Sequence, residues 1–503
     1  MSRGAFRVLA AVFVGTFLLQ SAWILTIPPF RGIDEFDHAY RATAVANGEW
    51  LPNAVAPDNG RGFLVTATDD IVDAATPECS ALPYTGPDNC EAVDAVGNGL
   101  VTVGSGAARY HPAFYWVMGK SVALFDGADA LYAMRLVAAL LCAGFVTLAM
   151  RNVMLWGRTR WPAIGLLVAL TPVLVYSTAV AAPNGVEMAA GLSLWTALLG
   201  FARLDLSPQV EGALLWATLP AGVVLTTVRT LGPLWLALVV LTTVGLLGLP
   251  RVRSVIADHR PRILGITAML VGATLASVWW IRVAATPRTV GGDFDDPLLN
   301  TLRLSFVWFF QAVGAFPSRD EPAPMLVYAA YIVVMLALLG LGFRRASRRV
   351  RGSLLLAIVV SYAVPFVLTL MTYSNEGSLW QGRYGLPYSV GIFLIAGLAL
   401  DGADVRHRLL GPAFLAGWLA LLVAHVVSVV NVLIDQRATS PSVGTGAWLM
   451  PEPWQVVLLT IAGWLAWTYA VRRSVPERAA GRAVLCDQID PAQPTQRARR
   501  SRT

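Results

Sequence analysis

Long apolar runs separated by short polar segments make up most of the chain. Each run is about twenty residues long, the length of α-helix that crosses the hydrocarbon core of a bilayer. The pattern therefore predicts an all-α integral membrane protein with about twelve transmembrane helices. The predicted helices lie at 7–27, 131–150, 161–181, 185–202, 212–228, 231–249, 263–283, 324–343, 353–372, 385–401, 410–432 and 453–471.

The polar stretches between the runs divide the chain. We expect a polytopic membrane domain at 1–473, in which 28–130 forms a first extracytoplasmic loop of domain size and 284–322 forms a second, shorter one. The segment 474–503 contains many arginine, proline and glutamine residues and few apolar ones. Such a composition predicts a disordered basic cytoplasmic tail.

Three shorter segments predict helices outside the bilayer core. Residues 34–47 contain no proline and end at Asn47-Gly48, which suits a short helix with a glycine stop. Residues 111–120 and 298–311 are rich in aromatic side chains, which favour the interface between lipid and water. We expect both to form interfacial helices in the outer loops.

Composition and charge agree with a membrane location. Apolar residues make up 56% and charged residues 14% of the chain, and the formal net charge is +7. The positive charge is concentrated in arginine blocks at 251–262, 344–351 and 472–473, each beside an apolar run. This is the positive-inside pattern, so no nucleic-acid partner is inferred. With the N-terminus in the cytoplasm, the helix count places every block, and both termini, on the cytoplasmic side.

Two of the four cysteines, Cys79 and Cys90, lie in the first loop with ten residues between them. Disulfides form in extracytoplasmic compartments, whereas a metal site would need closer cysteine pairs and more ligands. We therefore expect a disulfide between Cys79 and Cys90.

The most concentrated group of ionisable residues follows the first predicted helix and comprises Asp34, Glu35, Asp37, His38 and Arg41. Charges at this position are costly unless they meet water, a ligand or one another. A carboxylate in partly dry surroundings acts well as a base, and we favour Asp34 over Asp37 for that role. The alternative is a solvated helix held by ordinary i, i+4 pairs.

Three arginines near the outer ends of predicted helices, Arg135, Arg229 and Arg383, are candidates for gripping a phosphate through paired hydrogen bonds. Arginines in apolar surroundings usually have a partner or a role, and Glu187 is an available partner for either Arg135 or Arg229. Anchoring at the interface is the alternative for Arg383.

Histidines are weaker candidates. His38 and His111 are secondary acid–base candidates, since lone histidines more often cap helices or bind backbone groups. His425 lies deep in the eleventh predicted helix, where we expect it to pack or to hydrogen-bond between helices. The chain has no Walker A, His-Glu-x-x-His or Gly-x-Ser-x-Gly motif, so ATP hydrolysis, zinc proteolysis and serine hydrolysis are not supported.

Several short motifs follow one another along about 7–435, on the predicted outer side. They are Pro28-Pro29-Phe30, Asp34-Glu35, His38, Arg41, His111-Pro112, Tyr115, Thr171-Pro172, Pro183-Asn184-Gly185 and Gln381-Gly382-Arg383-Tyr384. In their order and placement they resemble a bacterial family of multi-spanning membrane proteins of unknown function, related to the GT-C superfamily of lipid-dependent glycosyltransferases. Where that family tends to show Asn-Pro-Asp after the third helix, this chain has Pro183-Asn184-Gly185.

The resemblance implies a GT-C-like helical bundle with an active site at its outer face, an acidic residue in the first loop and a polyprenyl-phosphate-linked sugar as donor. The expected function is transfer of that sugar to an extracytoplasmic glycan, lipid or protein at the bacterial inner membrane. Asp34 is the expected general base and Glu35 an orienting acid or metal ligand. Arg383, with Arg135 or Arg229, is expected to bind the donor phosphate, and Tyr384 is a secondary candidate.

Two other functional classes stay open. A transporter or flippase for lipid-linked glycans would use the outer charges as a gate, and should carry midplane polar residues and broken helices in paired halves. A non-catalytic scaffold for envelope assembly would use them only to bind partners. Asp34 and Glu35 could hold Mg²⁺ or Mn²⁺, but two neighbouring acids are too few ligands to argue for a cation.

Overall fold

The computed structural model describes residues 2–56, 62–285, 296–317, 321–376, 380–403 and 411–475. Apart from Ser474 and Val475, the predicted tail at 474–503 lies outside the described residues, as do 286–295 and 318–320 of the predicted second loop.

The described residues form α-helices and one small sheet. The helices are α1 Arg3–Thr26, α2 Glu35–Ala46, α3 Asp69–Ser80, α4 Pro87–Cys90, α5 Pro112–Met118, α6 Gly127–Trp156, α7 Trp161–Ala169, α8 Pro172–Ser177, α9 Pro183–Leu199, α10 Pro208–Thr227, α11 Gly232–Leu247, α12 Leu249–Asp258, α13 Arg260–Val283, α14 Pro297–Val313, α15 Met325–Arg345, α16 Arg348–Glu376, α17 Leu386–Ser389, α18 Gly391–Gly402, α19 Gly411–Thr439 and α20 Pro453–Arg473. The strands are β1 Phe63–Thr68, β2 Asp94–Gly97 and β3 Leu100–Ser105. Short 3-10 helices include Gly106–Arg109 and Gly382–Gly385.

The transmembrane region is all-α. Within the described residues, ten helices are long and apolar enough to cross a membrane, or eleven if α11 and α12, which meet at 106°, form one bent span. The protein is thus a multi-pass membrane protein, and the predicted count of twelve is not confirmed. The difference lies at 161–181, where the single predicted helix is replaced by two shorter ones, α7 and α8.

The break between α7 and α8 occurs at Leu170-Thr171-Pro172. Proline lacks an N–H donor and disfavours the helical conformation of the preceding residue. The carbonyl of Leu170 accepts hydrogen bonds from Nε2 of His425 and the hydroxyl of Tyr331, both at 3.1 Å. His425 is therefore a buried hydrogen-bonding residue between helices, as predicted, and it satisfies a carbonyl at the break.

The bundle has two chemically distinct ends. We call the end that carries residues 28–126 the loop end, and the opposite end, where the arginine blocks lie, the arginine end. Polar contacts join neighbouring segments at the arginine end: Arg203 pairs with Asp401, Arg251 pairs with Glu211, and Nε2 of His259 hydrogen-bonds to Oε2 of Glu211.

α1 packs against α6 and α20. Gly15 and Gly463 face each other across the contact with α20, where a Cβ on either residue would lie within 3 Å of the other's carbonyl oxygen. Small residues at such positions let two helix backbones approach closely. Nε1 of Trp467 also donates to the hydroxyl of Thr16. The first and last described helices are therefore direct neighbours.

The first loop folds into a layer over the loop end. It contains α2 to α5 and an antiparallel sheet in the order β1-β3-β2, in which Phe63 pairs with Ser105. A disulfide between Cys79 and Cys90 joins α3 to the end of α4. The sheet was not predicted, because its strands are only four to six residues long.

The three predicted short helices are present. α2 lies within the predicted 34–47, and α5 and α14 lie at the two aromatic segments. α14 buries Trp308 and exposes Phe306 and Phe309, which suits an element at a lipid interface.

The segment before α17 is pressed against α14. The backbone N–H of Gly382 donates to Oε1 of Gln311 at 2.8 Å. A Cβ on Gly382 would lie only 1.8 Å from the carbonyl oxygen of Trp308, so the approach requires glycine. This contact fixes the position of the two residues that follow, Arg383 and Tyr384.

We predict that Gly382→Ala destabilises the protein by about 1–3 kcal/mol, the usual cost of forcing atoms into a packed interior. Gly385→Ala is the matched control, because a Cβ there meets nothing within 4 Å. Thermal unfolding of the two variants in detergent provides the measurement. Equal midpoints for both variants would contradict the predicted steric restriction.

Candidate functional site

A buried ion pair fixes the N-terminus of α2. Glu35 and Arg135 of α6 are both fully buried. Nε of Arg135 donates to Oε1 of Glu35 at 2.8 Å, and Nη2 donates to Oε2 at 2.5 Å. The carboxylate also accepts hydrogen bonds from the backbone N–H groups of Gly32 and Ala181.

The remaining donors of Arg135 close the C-terminal end of α1. They bind the backbone carbonyls of Ile24, Ile27 and Pro28. A guanidinium carries five N–H donors, and all five of Arg135 are used inside the protein. The sequence assigned Arg135 to the donor phosphate and Glu35 to catalysis or metal binding. The structure instead pairs them with each other, which leaves Arg135 no donor for a ligand.

The other ionisable residues of α2 are buried rather than solvated. Oδ1 of Asp37 accepts a hydrogen bond from the N–H of Gly106 at 2.9 Å, and Nδ1 of His38 lies 2.7 Å from the hydroxyl of Tyr115. Arg41 donates to two backbone carbonyls just beyond the C-terminus of α2. These contacts hold the first loop together and argue for structural roles of the three side chains.

Asp34 lies at the N-cap of α2 and is half-buried. Its φ of 54° falls in the left-handed region, which aspartate tolerates better than most residues. The side chain makes no capping hydrogen bond to α2.

Two adjoining cavities lie at the loop end, where the 3-10 helix Gly106–Arg109 meets the ends of α10 and α13. Their volumes are about 190 Å³ and about 90 Å³. Residues common to both are Arg109, Tyr110, Arg229 and Thr230. We call the two cavities together the Arg229 cleft. The larger cavity is also lined by His111 and Trp280, and the smaller one by Glu187, Trp235 and Tyr384.

The larger cavity presents cationic and neutral hydrogen-bond donors. Arg109 and Arg229 carry permanent positive charge. Burial, and then the charge of Arg41, lowers the pKa of His111 below its usual range, so its ring is neutral at physiological pH. Because Nδ1 of His111 accepts a hydrogen bond from the N–H of Ala113, the ring proton is on Nε2, which is a donor.

Three residues that line the smaller cavity carry buried polar atoms without hydrogen-bond partners. Within the described residues these are Oε1 of Glu187, Nη1 of Arg229 and Nε1 of Trp235. Glu187 and Arg229 are only loosely paired, with Nη1 to Oε2 at 3.9 Å. The guanidinium of Arg229 lies 4.5 Å from the ring centre of Tyr384 and 5.7 Å from that of Tyr110.

Arg383 lies beside the cleft and does not line it. Its guanidinium carbon is 5.6 Å from the ring centre of Tyr384, which also contacts Arg229. Arg383 is 4% exposed, and its Nε has no hydrogen-bond partner in the part of the chain that the structure describes. The ring of Tyr384 therefore contacts two guanidinium groups.

The cleft brings together some of the predicted site residues and adds others. Those that line it are Arg229, His111 and Tyr384, whereas Asp34, Glu35, Arg135 and Arg383 line neither cavity. The sequence analysis missed Arg109 and Trp235 as site residues. Arg109 stands two residues before the His111-Pro112 motif, which was the available signal. One tryptophan among seventeen carries no such signal.

The described residues contain no group of three or more histidine, cysteine, aspartate or glutamate side chains arranged to hold a metal ion. Glu35 is bound to Arg135, so the pair Asp34 and Glu35 does not fit a divalent cation. No step proposed below uses one.

Comparison with known proteins gives a family and two structures. A family model described as a predicted membrane protein, DUF2142, matches residues 17–392. No curated protein matches the chain. The crystal structure of ArnT from Cupriavidus metallidurans bound to undecaprenyl phosphate is 17% identical, covers 90% of this chain and 81% of its own, and has a TM-score of 0.38. The apo form of that protein is 15% identical, covers 90% and 80%, and has a TM-score of 0.40.

We predict that Glu35→Gln destabilises the protein by about 3–5 kcal/mol, because it leaves the guanidinium of Arg135 buried without its counter-charge. Asp205→Asn is the control, since Asp205 pairs with Arg158 at an exposed position where an ion pair contributes about 0–1 kcal/mol. The measurement is the free energy of unfolding in detergent. Similar values for the two variants would show that the buried pair does not stabilise the loop end.

Proposed function

The chain belongs to the DUF2142 family of predicted membrane proteins, and from this premise we propose that it is a glycosyltransferase. In this proposal it transfers a sugar from a polyprenyl-phosphate donor to an extracytoplasmic acceptor of the cell envelope. Both termini lie on the cytoplasmic side of the bacterial inner membrane, and the loop end faces outward, as the arginine blocks indicate.

The observation that carries the proposal is the Arg229 cleft. It combines two arginines, a neutral histidine donor and a loosely held carboxylate at the end of a transmembrane bundle. Guanidinium groups bind phosphate through paired, charge-assisted hydrogen bonds. A phosphate that leaves with the electrons of the broken bond is stabilised by such preorganised cations.

The position of the cleft suits a donor with a lipid tail. Trp280 and Ile281 of α13 wall the larger cavity, whereas Met269, Leu275 and Trp279 of the same helix are exposed apolar residues. An apolar helix surface of this kind is covered by lipid in a membrane. A polyprenyl chain can therefore lie along α13 while its phosphate reaches Arg229 and Arg109.

The transfer step has a simple balance. The bond between the anomeric carbon and the phosphate oxygen breaks, and its electron pair leaves with the phosphate. The acceptor hydroxyl oxygen forms the new glycosidic bond, and its proton passes to a carboxylate. We assign that carboxylate to Asp34, with the neighbouring Glu35 held in place by its ion pair to Arg135.

The contacts at the helix break favour transfer over transport. A transporter would use a broken helix to line a central pathway. Here the freed carbonyl of Leu170 is bound by His425 and Tyr331, so the break is closed by the protein's own side chains. The cleft lies at the loop end and not at this break.

We predict that Arg229→Gln weakens the binding of a polyprenyl phosphate about tenfold to hundredfold, since a hydrogen bond to a charged group contributes about 1.5–3 kcal/mol. Arg282→Gln is the matched control, because Arg282 is exposed near the end of α13 and does not line the cleft. Binding of radiolabelled lipid to protein in nanodiscs is the measurement. Unchanged affinity in Arg229→Gln would remove the phosphate site from the cleft.

We predict that Asp34→Asn abolishes incorporation of labelled sugar from a polyprenyl donor, because the amide cannot accept the acceptor's proton. Asp94→Asn, at an exposed acid of β2, should retain full incorporation. Unfolding midpoints of both variants should match the wild type. Full activity in a folded Asp34→Asn protein would refute the base assignment and leave the phosphate site untouched.

A further inference from the structure

The smaller cavity of the Arg229 cleft has a chemistry that phosphate binding does not explain. Its walls include the carboxylate of Glu187, only 2% exposed, and the indole of Trp235, only 1% exposed. Oε1 of Glu187 and Nε1 of Trp235 lack hydrogen-bond partners within the described residues, as does Nη1 of Arg229. An ionised phosphate has no hydrogen to donate, so phosphate binding gives this carboxylate no hydrogen bond to accept.

Leaving buried polar atoms unpaired costs about 1–3 kcal/mol each. Three residues around one cavity carry such atoms, so a ligand that hydrogen-bonds to them would remove this cost. The set contains an acceptor, Oε1, and two donors, Nη1 and Nε1. Hydroxyl groups both donate and accept, so a ligand with several hydroxyls matches all three atoms.

The aromatic residues of the wall and the volume of the cavity further restrict which ligands fit. The rings of Tyr110 and Tyr384 flank Arg229 and offer apolar faces beside the polar atoms, a combination typical of small-molecule sites. A volume of about 90 Å³ holds about six water molecules. That is room for one sugar ring and not for an oligosaccharide.

We propose that the smaller cavity is the sugar subsite of the donor. Glu187 accepts hydrogen bonds from hydroxyls of the sugar, and Trp235 and Arg229 donate to its oxygens. The lipid phosphate occupies the larger cavity between Arg109 and Arg229. This inference rests on the proposed glycosyltransferase function and adds to it the residues that recognise the sugar.

The assignment has a consequence for specificity. A site built to hydrogen-bond a hydroxyl strongly rejects an analogue that lacks it, because the buried protein atoms are then left unpaired. Glu187 and Trp235 therefore discriminate glycosylated from sugar-free lipid. Loss of either group should reduce that discrimination and leave phosphate binding intact.

The test compares two affinities for each protein in nanodiscs. The probes are polyprenyl phosphate and the same lipid carrying mannose, glucose or arabinose. We expect the wild type to bind at least one glycosylated lipid tenfold or more tightly than the sugar-free lipid. Glu187→Gln and Trp235→Phe should each reduce this preference about tenfold, while the affinity for sugar-free lipid stays within twofold of the wild type.

Trp464→Phe is the matched control. Trp464 is also buried with an unpartnered Nε1, but it packs between α19 and α20, away from the cleft. Its replacement should leave both affinities unchanged. If Glu187→Gln or Trp235→Phe fails to fold, deoxy-sugar donors offered to the wild type test the same contacts, and at least one deoxygenated position should lose tenfold in affinity.

The outcomes separate this inference from the function on which it rests. A wild type that binds no polyprenyl phosphate overturns the proposed function. A wild type that binds the lipid without preferring any glycosylated form overturns the sugar subsite alone. The same follows if Glu187→Gln and Trp235→Phe keep the preference, or if Glu187→Gln weakens sugar-free lipid equally, since Glu187 would then only orient Arg229.

Discussion

The loop end of this protein depends on the buried ion pair between Glu35 and Arg135. Charges removed from water are stable only when their geometry and further hydrogen bonds replace the lost hydration. Here Arg135 donates two hydrogen bonds to Glu35. Two backbone N–H groups also donate to Glu35, and three backbone carbonyls accept from Arg135. Because the pair ties the end of α1 to α2, α6 and the segment before α9, it fixes how the first loop sits on the bundle. Arg109 to His111 of this loop line the cleft, so the ion pair helps to position that wall.

Buried charges elsewhere in the described residues are more closely paired than Glu187 and Arg229. Arg203 is paired with Asp401, and Glu211 holds both Arg251 and His259. Arg229 and Glu187 use the same residue types but stand 3.9 Å apart, each with an atom that has no partner. Residue type therefore does not separate structural from ligand-binding charges in this fold. Glu187 and Arg229 differ from the other pairs in the longer distance between their charged groups.

The sequence predicted the features that follow from local chemistry. The length of the apolar runs predicted the all-α membrane bundle, and the glycine after Asn47 predicted the end of α2. The position of His425 deep in a predicted helix indicated its hydrogen bonding between helices. Long-range pairing was not accessible: nothing near Glu35 indicates that Arg135, one hundred residues later, takes its carboxylate. For the same reason Asp34 to Arg41 suggested one chemical cluster, although burial distributes its side chains among several structural contacts. Only some of the cleft residues were predicted. Arg229 and His111 are ionisable residues near the ends of predicted helices, whereas nothing in the sequence around Trp235 marks it as a site residue.

The close approach of Gly15 to Gly463 has a consequence for biogenesis. Of the described helices, α1 is made first and α20 last. Until α20 is made, the surface of α1 around Gly15 and Thr16 lacks this partner. The helices around the cleft, α9 to α13, come between these two in synthesis and can associate earlier. The contact between α1 and α20 therefore forms only after the described helices around the cleft have been made.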